Sequence, residues 1–219
     1  MLEDGTIIKR AVIVSNGTIR DEGFSREVIK KGSFIIAADG GSRHLINLNI
    51  IPDLIIGDLD SLDQQEISRI SNEKTGILSY PCDKDKSDTQ LALEYALDRG
   101  AAKIVILGGF GDRIDHTLAN LHLLIKGVER GVDVRLLDEK NEAFVINKSA
   151  EIEGVPGTVL SLLPLSSRVK GIFTKGLKYP LKEGVMEIGN PYGISNEIVK
   201  TPVKIEIASG YLLIIIVRE

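Results

Sequence analysis

Through the first two-thirds of the chain, short unbroken apolar runs alternate with segments whose apolar positions return at helical spacing. The runs at 10–15, 33–38, 53–57, 76–80, 103–107 and 132–137 read as strands. Asn16-Gly17 marks a turn after the first, Asp39-Gly40-Gly41 ends the second, and Asp58 ends the third. Between them, 42–48 reads as a short helix, 64–72 as a helix with one polar face, and 87–99 and 116–130 as longer helices. For 87–99 the signals are complete. Ser87 is a ready N-cap, Leu91, Leu93, Tyr95 and Leu97 supply apolar faces, and Gly100 ends it. Gly131 closes 116–130 in the same way. Strands alternating with helices of this length predict a parallel sheet covered on both faces.

From about Asn141 the pattern changes. Strand-like runs at 143–146, 158–163, 185–188, 203–207 and 211–217 alternate with Gly and Pro turns, without a long helical pattern. The expectation is an α/β chain in two parts: a Rossmann-like, parallel-sheet α/β domain over 1–139, then an antiparallel β-sandwich over 140–219.

Composition narrows the functional classes. Aromatics are only 5% and Trp is absent, so no aromatic platform for single-stranded nucleic acid is visible. A net charge of −4 argues against a general phosphate-backbone binder. An acidic protein that takes an anion needs a metal, a local basic site or helix N-termini. The single cysteine, Cys82, excludes an intramolecular disulfide and a Cys-rich zinc site, which fits a cytoplasmic location. The start, Met-Leu-Glu-Asp-Gly, lacks the basic and apolar segments of a secretory signal. The apolar run at 211–217 falls far short of the roughly 20 residues that span a bilayer, so no membrane partner is expected.

Parallel α/β sheets place ligands beyond the carboxyl ends of their strands. Run 33–38 delivers Asp39, and 53–57 delivers Asp58 and Asp60. Run 76–80 is followed by Asp83, Asp85 and Asp88, and 103–107 by Asp112, Arg113 and Asp115. Any one of these is equally a turn former or a helix cap. Acid at four strand ends together is not explained that way. Converging carboxylates repel one another unless a cation neutralises them, and Mg²⁺ prefers such oxygen ligands together with phosphate oxygens. Gly-rich turns let backbone approach a ligand closely, and Lys84, Lys86 and Arg113 add positive charge. The pattern points to a site for metal and polyphosphate.

Weaker signals stand beside it. Gly108-Gly109-Phe110-Gly111 lacks the full Gly-x-Gly-x-x-Gly spacing, and no P-loop motif is present. His44, His116 and His122 lack zinc spacing; Asp115-His116 reads either as a catalytic pair or as a helix start. Cys82 reads as a bystander, with no His beside it in sequence.

Taken in order, the pieces resemble the thiamine pyrophosphokinase family. The matching stretches are Ala38-Asp39-Gly40-Gly41, Gly57-Asp58-Leu59-Asp60-Ser61, Asp83-Lys84-Asp85-Lys86-Ser87-Asp88-Thr89, and the run from Gly108 through Arg113-Ile114-Asp115-His116. The stretches 174–181 and 193–197, the latter carrying Ser195-Asn196, also match. The resemblance implies a homodimer that moves pyrophosphate from ATP to thiamine, giving thiamine diphosphate and AMP. It implies Mg²⁺ on Asp39, Asp58, Asp60 and Asp88, and catalytic roles for Asp58, Asp60, Asp85, Asp88, Arg113 and Asp115. It implies substrate contacts from Asp39, Gly40, Gly41, Ser87, Thr89, Gly109, Gly111, His116, Asn120, Ser195 and Asn196, with thiamine lying between subunits. Animal-type members stack a Trp on thiamine; here Tyr192 and Tyr179 are the candidates. For the hydroxyl proton, Asp85, Asp88 and Asp115 stand as alternative acceptors. Two rival readings remain at this point: another Asp-x-Asp metal-dependent transferase, and a non-catalytic nucleotide- or thiamine-binding module.

Overall fold

The computed structural model describes residues 8–60 and 62–218. The N-terminal pentapeptide and Ser61 lie outside the described residues. The chain divides into two compact units, Met1–Glu139 and Lys140–Glu219.

The first unit runs β1 (Ala11–Val14), α1 (Glu22–Lys30), β2 (Phe34–Ala38), α2 (Gly41–Asn47), β3 (Leu54–Gly57), α3 (Gln64–Ile70), β4 (Gly76–Ser79), α4 (Asp88–Asp98), β5 (Lys103–Leu107), α5 (Ile114–Glu129) and β6 (Asp133–Leu137). Its strands are parallel, in the order β6-β5-β1-β2-β3-β4. Val12, Val14, Ala37, Ile55, Val105 and Leu107 face one way, against Val28 and Ile29 of α1, Leu45 of α2 and Ile70 of α3. The alternate residues, among them Ile13, Ile36, Ile56, Ile104 and Ile106, are buried as well. α4 packs on β1, β2 and β3, and α5 packs on β6. Burial on both faces is why these strands read as continuous apolar runs.

Helix α1 was not among the expected elements. Its signals are slight: Asp21 accepts from the Phe24 N–H at 2.8 Å, and Phe24, Val28 and Ile29 form a narrow apolar face. Side-chain caps open α3 and α4 but not α2 or α5. Asp63 and Glu66 form a reciprocal capping box on α3, and Ser87 caps α4 by accepting from Gln90.

Glu94 on α4 binds Lys86 at 2.8 Å and Lys126 of α5 at 3.0 Å. Partial burial alone would raise its pKa, but hydrogen bonds from Gln90, Lys86 and Lys126 outweigh it and bring it down from 4.5 to about 2. The folded value lies below the unfolded one. Its contribution is therefore present above about pH 4.5 and lost as pH falls toward 2. Glu94→Gln is expected to remove about 1 kcal/mol of stability near neutrality, after allowance for solvent screening, and to flatten the acid limb of Tm against pH. Parallel limbs for variant and parent would contradict this.

The second unit comprises β7 (Asn141–Ile146), β8 (Ser149–Ile152), β9 (Val159–Pro164), β10 (Arg168–Lys175), β11 (Gly184–Glu187), β12 (Asn196–Glu197), β13 (Val203–Glu206) and β14 (Leu212–Val217). They form two antiparallel sheets, β12-β9-β14-β7 and β11-β10-β13-β8. Phe144, Leu160, Leu162, Leu212 and Ile214 of one sheet meet Ile152, Val169, Ile172, Met186, Val203 and Ile205 of the other, as in a sandwich. The sequence reading did not include β8, β10 or β12. In β10 a register shift between Lys170 and Ile172, at Gly171, breaks the two-residue alternation. β8 is short and largely polar, and β12 is two residues long.

Candidate active site

In the first unit the chain builds outward from β1 through β2, β3 and β4, then crosses back to add β5 and β6 on the other side. The order therefore reverses between β1 and β5, and such a switch point opens a crevice beyond the strand ends. A cavity of about 400 Å³ lies there. Its wall includes Ser15, Asn16, Gly17 and Thr18 after β1, Asp39 after β2, Ser87, Asp88 and Thr89 at the start of α4, and Gly108–Arg113 after β5. His116, Thr117 and Asn120 of α5 complete it.

The loops after β1 and β5 are locked together by backbone. Gly17 N–H donates to the Gly108 carbonyl at 2.7 Å, and Thr18 N–H to the Phe110 carbonyl at 2.9 Å. A β-carbon at Gly17 would collide with both carbonyl oxygens, and Gly108 holds φ +62. The buried Asn120 amide donates to the Gly109 carbonyl at 2.8 Å, and Thr117 Oγ1 accepts from Gly111 N–H. The buried hydroxyls of Ser15 and Thr89 meet at 2.9 Å and tie the β1 end to α4.

The acids gather beside this cavity. Asp39 and Leu59 both adopt positive φ, 43° and 62°. At Leu59 this uncommon conformation folds Asp58 and Asp60 back on each other, and Asp58 Oδ1 accepts from Asp60 N–H at 3.3 Å. Burial works to raise Asp58, but the Asp60 carboxyl and N–H, with Lys84, hold it below the usual range. Asp60 is pushed up by its hydrogen bond to Asp58 and by that group's charge, with Asp39 adding to the effect. Asp88 is raised by burial and by the charges of Asp39 and Asp58, against the pull of Lys84. Asp39 and Asp88, on the cavity wall, and Asp58 and Asp60, off it, are thus linked by their charges.

Lys84 sits among them, its Nζ 3.4 Å from Asp58 Oδ2 and 3.0 Å from Asp88 Oδ1. Buried Asp88 Oδ1 lacks a well-aligned hydrogen-bond donor despite that ion pair. Among the described residues, Asp58, Asp60 and Cys82 present ligand atoms within 4.8 Å of one another. Cys82 lies 22 positions from Asp60, and nothing in the sequence marked its approach. Burial and the two carboxylates push its thiol up, which makes it a poor nucleophile.

Other expected residues are placed differently. Asp85 and Asp115 do not line the cavity; Asp85 is exposed, and Asp115 pairs with Arg113 at 2.6 Å on the surface. Gly40 and Gly41 also lie off the wall. They allow the start of α2 to press against Asn16 and the Val14 carbonyl. Ser195 and Asn196 belong to the second unit. Ser195 holds φ 56 and its N–H donates to Ser161 Oγ at 3.0 Å. Asn196 is buried and braces Tyr179, accepting from its N–H at 3.1 Å and donating to its carbonyl at 2.8 Å. With Leu162, Tyr179, Leu181, Met186, Tyr192 and Ile194, it lines a smaller, mainly apolar pocket of about 150 Å³. The tip residues Ser15–Thr18 were missed as site residues. The same strand-end rule reaches them, but they carry no charge to draw attention.

Residues 25–136 match the family model for the thiamin pyrophosphokinase catalytic domain, and 144–212 match that for its vitamin B1 binding domain. The chain is 34% identical over 182 residues to thiamine pyrophosphokinase of Bacillus subtilis (strain 168), covering 82% of this chain and 85% of that one. It is 25% identical over 196 residues to thiamin pyrophosphokinase 1 of Caenorhabditis elegans, covering 83% and 78%. A crystal structure of the Bacillus subtilis thiamine pyrophosphokinase superimposes with TM-score 0.86 at 29% identity, covering 96% of this chain and all (100%) of that one. A thiamin pyrophosphokinase family protein from Enterococcus faecalis gives TM-score 0.80 at 26% identity, covering 96% and 99%. No helix among the described residues is long and apolar enough to cross a membrane.

Proposed function

The chain belongs to the thiamin pyrophosphokinase family, and from that premise we propose how its residues divide the work of moving pyrophosphate from ATP to thiamine. The observation that carries the reading is the meeting of four strand-end aspartates beside the β1–β5 crevice.

The triphosphate lies in the crevice, against the glycine loop after β5 and the N-terminus of α4. Mg²⁺ fits the donor set, which is mostly hard carboxylate oxygen and includes the buried Asp88 Oδ1, ion-paired to Lys84 but without a well-aligned donor. Asp39, Asp58, Asp60 and Asp88 would hold it. When bound, it offsets the charge growing on the phosphate oxygens. The thiamine hydroxyl attacks the β-phosphorus, the bond from that phosphorus to the oxygen bridging to the α-phosphate breaks, and AMP leaves with that oxygen. Arg113, on the cavity wall, steadies the phosphates. Of the three candidate proton acceptors, Asp88 alone lines the cavity, which favours it as the acceptor of the hydroxyl proton.

Thiamine's rings take the apolar pocket of the second unit, in a homodimer whose interface carries that site. Supporting this, Tyr179, Tyr192 and Ile194 line the pocket and are exposed. Tyr192 is the better stacking candidate, because its hydroxyl donates to the Val185 carbonyl at 2.6 Å and fixes the ring. Tyr192→Ala is expected to raise KM for thiamine about tenfold with little change in KM for ATP. An equal rise in both constants, or in neither, would refute that role. A reducing cytoplasm suits the lone free thiol of Cys82.

The test of the reading as a whole is product identity. With ATP, Mg²⁺ and thiamine, AMP and thiamine diphosphate should appear in equal amounts. Release of ADP would favour another transferase, and absence of turnover a binding module.

A further inference from the structure

The β1 loop supplies much of the crevice wall, yet it is anchored by few side chains. His44, half-buried on α2, is one of them. Its Nε2 lies 2.8 Å from the Gly17 carbonyl oxygen. A carbonyl oxygen only accepts, so Nε2 carries the hydrogen of this bond. Gly17 is then held from two sides. Its N–H is spent on Gly108, and its carbonyl on His44. Asn16 on the same loop packs over Gly40, at the start of the helix that bears His44. His44 is absent from the cavity wall, so it acts on a ligand only through the loop.

We infer that His44 is a positioning residue for the nucleotide: by holding the Gly17 carbonyl it keeps the β1 loop docked on the β5 loop, in the shape that receives the phosphates. This rests on the crevice being the ATP site. A preformed loop spares the cost of ordering it when the nucleotide arrives, so the effect falls on ATP binding. One hydrogen bond of this kind contributes about 1 kcal/mol, and its loss lowers affinity by roughly fivefold to tenfold.

Two variants of the full-length protein separate positioning from packing. Phe preserves the ring and removes the donor. Gln places an amide N–H about as far along the side chain as Nε2 and restores it. We expect His44→Phe to raise KM for ATP roughly fivefold to tenfold, with kcat and KM for thiamine within about twofold of the parent. Without ligand, the amides of Gly17 and Thr18 should exchange hydrogen correspondingly faster. His44→Gln should return both readouts close to the parent. Unchanged KM and exchange in His44→Phe would overturn the inference, as would a His44→Gln variant as impaired as His44→Phe. Should His44→Phe fail to fold, His44→Gln decides alone: parental KM for ATP and parental exchange support the role, and a raised KM refutes it. The exchange measurement needs no turnover. If the parent proves inactive on ATP and thiamine, the functional reading fails while the anchoring of the loop by His44 is still decided.

Discussion

Asp60→Asn is expected to cut kcat by roughly 100- to 1,000-fold, the scale seen when one electrostatic stabiliser of a transition state is removed, while leaving Tm unchanged or slightly higher. The two halves of that expectation come from one geometry. Asp60 crowds Asp58, whose charge disfavours that of Asp60, while the Asp60 carboxyl and N–H favour the charge on Asp58. Removing one charge relieves that repulsion in the empty protein and removes a cation ligand in the working one. Asp58→Asn should lose a similar share of turnover but gain no stability, because Asp58 also holds Lys84 at 3.4 Å. Turnover with saturating substrates, set beside thermal unfolding in a chelator, measures both effects. Near-parental rates in the two variants would remove these acids from the chemistry. A fall in Tm of about 10 °C, well beyond that of ordinary surface substitutions, would make them structural instead.

The second large effect is expected at a residue without any functional group. Gly17→Ala would set a methyl group against the carbonyl oxygens of Gly108 and Phe110. Both are backbone, on the loop that follows β5, and neither can move without opening the crevice. We expect a loss of about 2–4 kcal/mol in stability and at least a 100-fold loss in kcat/KM for ATP. Urea unfolding and steady-state kinetics read the two quantities. A variant as stable and active as the parent would mean that the tight β1–β5 loop contact is not part of the site. Residues 15–18 lie ahead of the segment matching the catalytic family model.

The two predictions mark where sequence reasoning succeeded and where it stopped. Asp39, Asp58, Asp60 and Asp88 were legible because a charge at the end of an apolar run stands out, and because parallel strands send their ends to one rim. The close approach of Asp58 and Asp60 was not legible. It goes with positive φ at Leu59, and a leucine gives no hint of that conformation. Gly17 was passed over because it acts through backbone atoms, and Ser15 and His44 because their partners, Thr89 and the Gly17 carbonyl, lie far away in the sequence. Strands β1, β2, β3 and β5 read as apolar runs because both their faces are buried, whereas α1 buries too few apolar residues to declare its period. In the second unit the bulge at Gly171 hid the eight-residue strand β10, since Val169 and Ile172 both point inward although three positions apart. Asn196 was recognised by its motif, but its bonds to Tyr179 could be known only from the fold.

The most direct measurement is a crystal structure with a non-hydrolysable ATP analogue and Mn²⁺ in place of Mg²⁺, read by the anomalous signal of the ion. The ion should be found bound by carboxylate oxygens from Asp39, Asp58, Asp60 or Asp88 and by phosphate oxygens, with the nucleotide running along the loops after β1 and β5. An ion or a nucleotide seated away from that rim, with these four carboxylates bare, would contradict the account.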